Sequence, residues 1–370
     1  MLWRQLGFST LFMALCFILT PAALTAQSPT ISAVAGSIAH DQTISISGAN
    51  FGSKTTPAPI IFDNFDNGSH DTAISPAAGW SEVGYSGIQI PRYDNGIKHA
   101  GNGSMKLFWD NWQSASSVKK YGNFAQEFYF DGWFRYDQED GPPWSRVVKL
   151  LLLFGDGAME YPQIHYGTAN CTQNEGFHIA GYAGTNTSTS NAYGFNLGDV
   201  RDRFRHMQLW LKASSSDQYN GSVRLWLDGQ LIASSDSYLT VAGNHGRWNH
   251  VRVGYYHAHD GIPGCDPSPG DAYGWWDNVY IDNTQARVEI GNASTYNAST
   301  HREIQIPSSW SASSLQARIN QGSFPSGQQA WLYVVNSSGA VNAQGYPITF
   351  GGSQNDSVPP GAPLGLRADD

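Results

Sequence analysis

Two short segments carry side chains that could act together. Gln163-Ile164-His165 and His250-Val-Arg252-Val-Gly254-Tyr255-Tyr256 both alternate in the manner of β-strands. Strand residues two apart share a face, so Gln163 and His165 are expected side by side, as are Arg252, Gly254 and Tyr256. An amide with an imidazole can hold a carboxylate, a guanidinium can offset its charge, and a phenol can give or take a proton. Such a set could do acid–base chemistry at a carbon beside a carboxylate. The bland alternative is a hydrogen-bonded structural histidine and a tyrosine stacking platform.

Other residues have the character of ligands. Asp63 and Asp66 in Ile61-Phe-Asp-Asn-Phe-Asp66, with Asp277 in Trp275-Trp-Asp-Asn-Val-Tyr-Ile-Asp282, offer the hard oxygens that suit a structural calcium ion, or ordinary strand-end turn chemistry. His257, His259, Asp260 and Asp266 surround a Gly/Pro loop, a composition that serves metal sites and solvated turns alike. No cofactor is expected for catalysis. Among 13 tryptophans, Trp109, Trp112, Trp133, Trp144 and Trp275 are expected, with Tyr255 and Lys149, to line a groove that stacks on sugar faces.

The elements that must position these groups are strands. Apolar segments such as Ile44-Ser-Ile-Ser47, Ser222-Val-Arg-Leu-Trp-Leu227 and Val279-Tyr-Ile281 alternate with period two or are short β-branched runs between turn residues. The fold class is therefore all-β. Three zones follow a signal-like stretch: 29–62, 63–283 and 284–352, with a Pro-rich tail over 353–370. The first zone is too short for an immunoglobulin-type sandwich of about 100 residues, but with the third it makes one. The middle zone is then inserted into a split domain; the alternative is a short appendage plus a separate C-terminal sandwich.

Particular phrases carry family resemblances. Ile44-Ser-Ile-Ser-Gly-Ala-Asn-Phe-Gly-Ser53 resembles the opening of immunoglobulin-like IPT/TIG modules, and Ala286-Arg-Val-Glu-Ile-Gly291 with Arg302-Glu-Ile-Gln-Ile-Pro307 resembles their second half. The middle zone resembles the concanavalin A-like jelly rolls of lectins, glucanases and polysaccharide lyases. Within that group, Gln163-Ile164-His165 and the His250–Ala258 segment resemble motifs of jelly-roll alginate lyases. The resemblance implies β-elimination on a uronate polymer, with Gln163 and His165 holding the carboxyl group, Arg252 offsetting its charge and Tyr256 as catalytic acid or base. His250 and Ala258 depart from the motif, which has Tyr and Gln there. The Glu-x-Asp-x-x-Glu phrase of laminarinase-type hydrolases is absent, so the hydrolase alternative has no signature. A lectin-like or adhesive cell-surface module is the non-catalytic alternative.

Composition bounds the partners. Arg4, the apolar run Leu11–Leu19 and the small residues Ala22–Ala26 read as an export signal over 1–26, too short to span a bilayer. Without Arg4 the 21 basic residues become 20 against 30 acidic ones, which disfavours nucleic acid. The expected partner outside the cell is a polysaccharide, and the immunoglobulin-like zones add the option of other surface modules. Basic residues nevertheless concentrate at Lys106, Lys119, Lys120, Arg135, Arg146 and Lys149. Cys171 and Cys265, both in loops, are expected to form a disulfide in an oxidising compartment.

Overall fold

The structure, a computed structural model, describes residues 27–84, 89–109, 116–138, 146–155, 160–167, 176–180, 191–194, 203–241, 247–254, 257–259 and 272–354. It is all-β, and two 3-10 turns, Pro76–Ala78 and Tyr296–Ala298, are the helical elements among the described residues. The chain opens with β1 (Thr30–Ser37) and β2 (Thr43–Ala49). Next come β3 (Ile61–Asp63), β4 (Glu82–Val83), β5 (Arg92–Asp94), β6 (Ser104–Trp109), β7 (Val118–Tyr121), β8 (Glu127–Gln138), β9 (Arg146–Phe154) and β10 (Glu160–Gly167). The middle zone continues with β11 (Gly176–Ala180), β12 (Asn191–Gly194), β13 (Arg205–Lys212), β14 (Gly221–Leu227), β15 (Gln230–Tyr238), β16 (His250–Val253), β17 (His257–His259) and β18 (Ala272–Asp282). The last strands are β19 (Arg287–Gly291), β20 (Arg302–Trp310), β21 (Ser314–Arg318), β22 (Gln329–Val335), β23 (Tyr346–Thr349) and β24 (Ser353–Gln354).

The middle strands form two sheets packed face to face. The front sheet runs β12-β11-β10-β9-β16-β7-β4, with β17 also on β9; the back sheet runs β15-β14-β13-β8-β18-β6-β5, with β3 also on β18. Alternation along β8 sends Phe128, Phe130, Phe134 and Tyr136 inward, where they meet Leu151, Leu153, Val251, Val253 and Val118 of the front sheet. Each large apolar side chain withdrawn from water there contributes roughly 1.5–3 kcal/mol. Ile61 and Phe62 pair with Ile281 and Tyr280, so these two residues belong with the middle sandwich rather than with the zone that precedes it.

The flanking strands make a third sheet in the order β23-β22-β19-β20-β21-β2-β1-β24. Thr43–Ser47 of β2 pair with Ser314–Arg318 of β21, so strands from both ends of the chain share one ladder. β20 pairs with β19 up to Gln305 and with β21 from Ile306 onward, folding the sheet around Val34, Ile44, Ile46, Val288, Ile290, Leu315, Leu332 and Val334.

A buried polar seam joins this flanking module to the other face of the back sheet. Tyr129, Asp131 and Trp133 of β8 point into it, alternate to the core phenylalanines. His206 Nε2 lies 2.9 Å from Asp131 Oδ1, and the Gln208 amide donates to Asp131 (2.9 Å), Tyr129 Oη (2.9 Å) and Glu289 (2.5 Å). Glu289 pairs with Arg287 (2.8 Å) and Arg302 (3.3 Å). At one end of the seam, Lys54 Nζ lies 2.6 Å from Asp282 Oδ2.

Candidate functional site

The front sheet turns one face away from the core, and charged residues line up on it. Val118, Val251, Val253, Leu151 and Leu153 point inward, so alternation puts Lys119, Arg252 and Leu152 on the opposite face. Register sets them in one row: Glu82 opposite Lys119, Lys119 opposite Arg252, Arg252 opposite Leu152, and Leu152 opposite Gln163. The next row holds Tyr121, His250, Phe154 and Glu160. Beyond them Lys149 pairs with His165, and His165 with His178.

The side chains of Glu82, Lys119, Arg252, Tyr121, His250 and Phe154 form one cluster. Lys119 Nζ donates to Glu82 Oε1 and to Tyr121 Oη, both at 2.8 Å. Arg252 Nη2 lies 3.6 Å from Glu82 Oε2, and Nη1 donates to Ser117 Oγ at 3.3 Å. Both cations are nearly buried, with side-chain exposures of 9% for Lys119 and 7% for Arg252, whereas Glu82 is 46% exposed. The hydrogen bond from Lys119, helped by Arg252, holds the Glu82 carboxyl below the usual carboxylate range.

His250 completes the cluster. Its ring stacks on Phe154 (4.5 Å, 8°) and lies 5.1 Å from Tyr121, and Nδ1 is 2.6 Å from Asn249 Oδ1. Burial first, then the charges of Lys119 and Arg252, bring its pKa down to about 4. The imidazole is therefore neutral at neutral pH. With Nδ1–H donating to Asn249, Nε2 keeps its lone pair.

The sequence-based candidates fare unevenly. Arg252 sits in the cluster; Gln163 and His165 lie on β10 within the same sheet, Gln163 in the row of Arg252. Gly254 follows the end of β16 with φ +65, and the expectation that Arg252 and Tyr256 share a face involves a residue outside the described ones. Tyr255, Tyr256, Trp112, Trp144, Cys171 and Cys265 lie outside the described residues. Lys149 is half-buried on β9.

Three tryptophans need correcting. Trp109 is wholly inside the sandwich core, Trp133 is closed in the seam between the rings of His99 and His206, and Trp275 is buried with Nε1 donating to Asp94 Oδ2 at 2.9 Å. None offers a ring face to a sugar. The half-exposed ring beside the cationic row is Tyr121 instead. Lys119 and His250 could have been found from the alternation of Val118-Lys-Lys-Tyr121 and of His250-Val-Arg-Val253; Glu82, on a two-residue strand, leaves no periodic signal.

No family model matches the chain, and no curated protein sequence matches it. Among solved structures, it is similar to an endo-β-1,4-glucuronan lyase from the fungus Trichoderma reesei at 15% identity and TM-score 0.40, covering 58% of this chain and 94% of that one. It is similar to the alginate lyase Aly36B at 14% identity and TM-score 0.43, covering 62% and 98%, and to an alginate lyase from Aplysia kurodai at 8% identity and TM-score 0.38, covering 52% and 86%. Likenesses this distant do not assign an activity.

The acidic trio is separate from the cationic face. Asp63 accepts from Phe65 N and Trp80 Nε1, both at 2.8 Å; Asp277 accepts from His99 N (2.8 Å), Ala100 N (3.1 Å) and Asn278 N (2.7 Å); Asp66 accepts from Asn102 N, Gly103 N (3.1 Å) and Asn64 Nδ2 (2.6 Å). Burial, with the charge of Asp66 added, pushes Asp63 up to about 6 and Asp277 well above the usual range. A cavity of about 120 Å³ beside Asp66 is lined by Asn64, Ala100, Gly101 and Asn278. Of the three carboxylates only Asp66 lines this cavity, and among the described residues the trio does not come together as one group of candidate ligand atoms.

Proposed function

We propose that the chain is an extracellular polysaccharide lyase that cleaves a uronate-containing polymer by β-elimination on the outer face of the front sheet. The observation that carries this is the Lys119–Arg252 pair, two nearly buried cations closed on one exposed carboxylate, Glu82, next to a neutral imidazole. A bound uronate carboxylate would replace that of Glu82, keeping the charge balance while releasing Glu82 to solvent.

In the reaction, a base removes the proton at the carbon next to the carboxylate, the neighbouring bond to the glycosidic oxygen breaks, and a carbon–carbon double bond forms as a proton reaches the leaving oxygen. The cations stabilise the charge that builds on the carboxylate as the proton leaves. Gln163 and His165 would hold the same carboxylate, and Tyr256 would act as acid or base; His250, kept neutral, is a second base within the cluster. Substrate charge on Lys119 and Arg252 would raise the His250 pKa towards the useful range.

The accompanying parts of the reading are an export signal at 1–26, a Cys171–Cys265 disulfide, a structural calcium at Asp63, Asp66 and Asp277, and an IPT/TIG-like module split by the jelly roll. The shared β2–β21 ladder supports the last of these. A purely sugar-binding protein is less well supported, because Trp109, Trp133 and Trp275 are buried. The deciding experiment incubates the chain with alginate, glucuronan and related uronate polymers and follows near-ultraviolet absorbance. A rise that Arg252→Ala and Tyr256→Phe abolish supports the lyase; no unsaturated product from any polymer removes it.

A further inference from the structure

At the edge of the seam, two histidines from different modules close on one carboxylate oxygen. Glu303 Oε1 lies 2.7 Å from His99 Nε2 and 3.0 Å from His301 Nε2, and the three candidate ligand atoms fall within 4.8 Å of one another. His99 comes from the loop before β6, while His301 precedes and Glu303 belongs to β20. We propose that these residues are a transition-metal site, best suited to zinc, that fastens the jelly roll to the flanking module.

The site has the supports that ligand residues need. Glu303 Oε2 is held by Trp133 Nε1 (3.2 Å) and Asn278 Nδ2 (3.3 Å), which leaves Oε1 directed at the histidines. The His99 ring is fixed by stacking on Trp133 at 3.6 Å and 11°. His301 and Glu303 are two apart, the spacing that places strand side chains on one face. Gly322, at φ +55, leaves room for the carboxylate: a Cβ there would lie 2.0 Å from Glu303 Cδ. Ser323 Oγ, 3.2 Å from His301 Nε2, stands near as a fourth donor.

The donor set selects the ion. Two imidazole nitrogens and one carboxylate suit zinc and its neighbours rather than calcium, which takes oxygen ligands. With bonds of about 2.0–2.2 Å, tetrahedral zinc ligands stand about 3.3 Å apart, so the two histidine–carboxylate separations need to open by on the order of half an ångström. His301 is 25% exposed, so an ion can enter from solvent, while Glu303 is fully buried and fixes its depth. On binding, the ion takes the place of the direct contacts between the two imidazoles and Oε1.

The test uses the untagged full chain, stripped with a chelator and dialysed against zinc, with metal content read by mass spectrometry. The wild type should retain one equivalent more than His301→Ala and His99→Ala, and zinc should raise its melting temperature but not theirs. Asn278→Ala, which removes a support and no ligand, should weaken binding by on the order of 10–100-fold. Because a variant could misfold, cobalt is added to the wild type as well, where tetrahedral visible absorption is expected. Equal zinc content in wild type and His301→Ala, or cobalt without tetrahedral bands, overturns the proposal. Both readouts are independent of lyase activity.

Discussion

Arg252 and Gln163 pair in register with the same residue, Leu152, from its two sides. The strand between them thus sets a fixed spacing between the backbone positions of Arg252 and Gln163 along one row of the sheet. If a uronate carboxylate binds there, Arg252→Ala should lower kcat/KM on uronate polymer by on the order of 10²–10³-fold, the size seen when one charge-stabilising donor is lost. Arg252→Lys, which keeps the charge, should retain most of the activity. Equal turnover by the Ala variant and the wild type would remove Arg252 from the site.

His250 gives a pH signature separate from catalysis. Its folded pKa of about 4 lies below the ordinary 6.5, so as pH falls the unfolded chain takes up this proton first. The stability tied to His250 is therefore complete above about pH 6.5 and is lost as pH drops through about 4. His250→Gln cannot titrate, so its melting temperature should fall less steeply over that window. Parallel melting curves for the two proteins would show that His250 is not held neutral.

Period-two patterning gives the strands that carry Gln163, His165 and Arg252, while their sharing one sheet comes from long-range pairing that no local pattern announces. Facing was harder to read. Aromatic residues occupy both faces of β8, Phe128, Phe130 and Phe134 inward and Tyr129 and Trp133 outward, because the flanking module covers the outer face. With both faces buried, residue type no longer separates core from surface, so Trp133 looked like a binding platform. The partners of Glu82 and Glu303 come from distant segments, and no local pattern announces such pairs.

The seam predicts a large stability effect at Glu289. Burial acts to raise its pKa, but Arg287 and Arg302 overcome that and hold it down to about 2. Glu289→Ala would leave two buried guanidinium groups without their carboxylate, at a cost of about 3–5 kcal/mol. Urea unfolding should show this as a lower midpoint. A change within about 0.5 kcal/mol, typical of surface sites, would mean that the seam is not closed in solution.

The proposed calcium site at Asp63, Asp66 and Asp277 is tested by how stability depends on pH. Without the ion, Asp63 titrates near 6 in the folded chain against 3.8 ordinarily, so its contribution to stability is present below 3.8 and lost as pH rises through 6. Calcium requires the ionised form, so its stabilising effect should grow as pH rises through the same window. At about 100 times its Kd the ion should add about 2.7 kcal/mol, visible as a higher melting temperature that a calcium-selective chelator reverses. Asp277→Asn should remove the response to calcium while leaving any response to zinc, since His99, His301 and Glu303 form a different ligand set. A melt unaffected by calcium above pH 6 would rule the ion out.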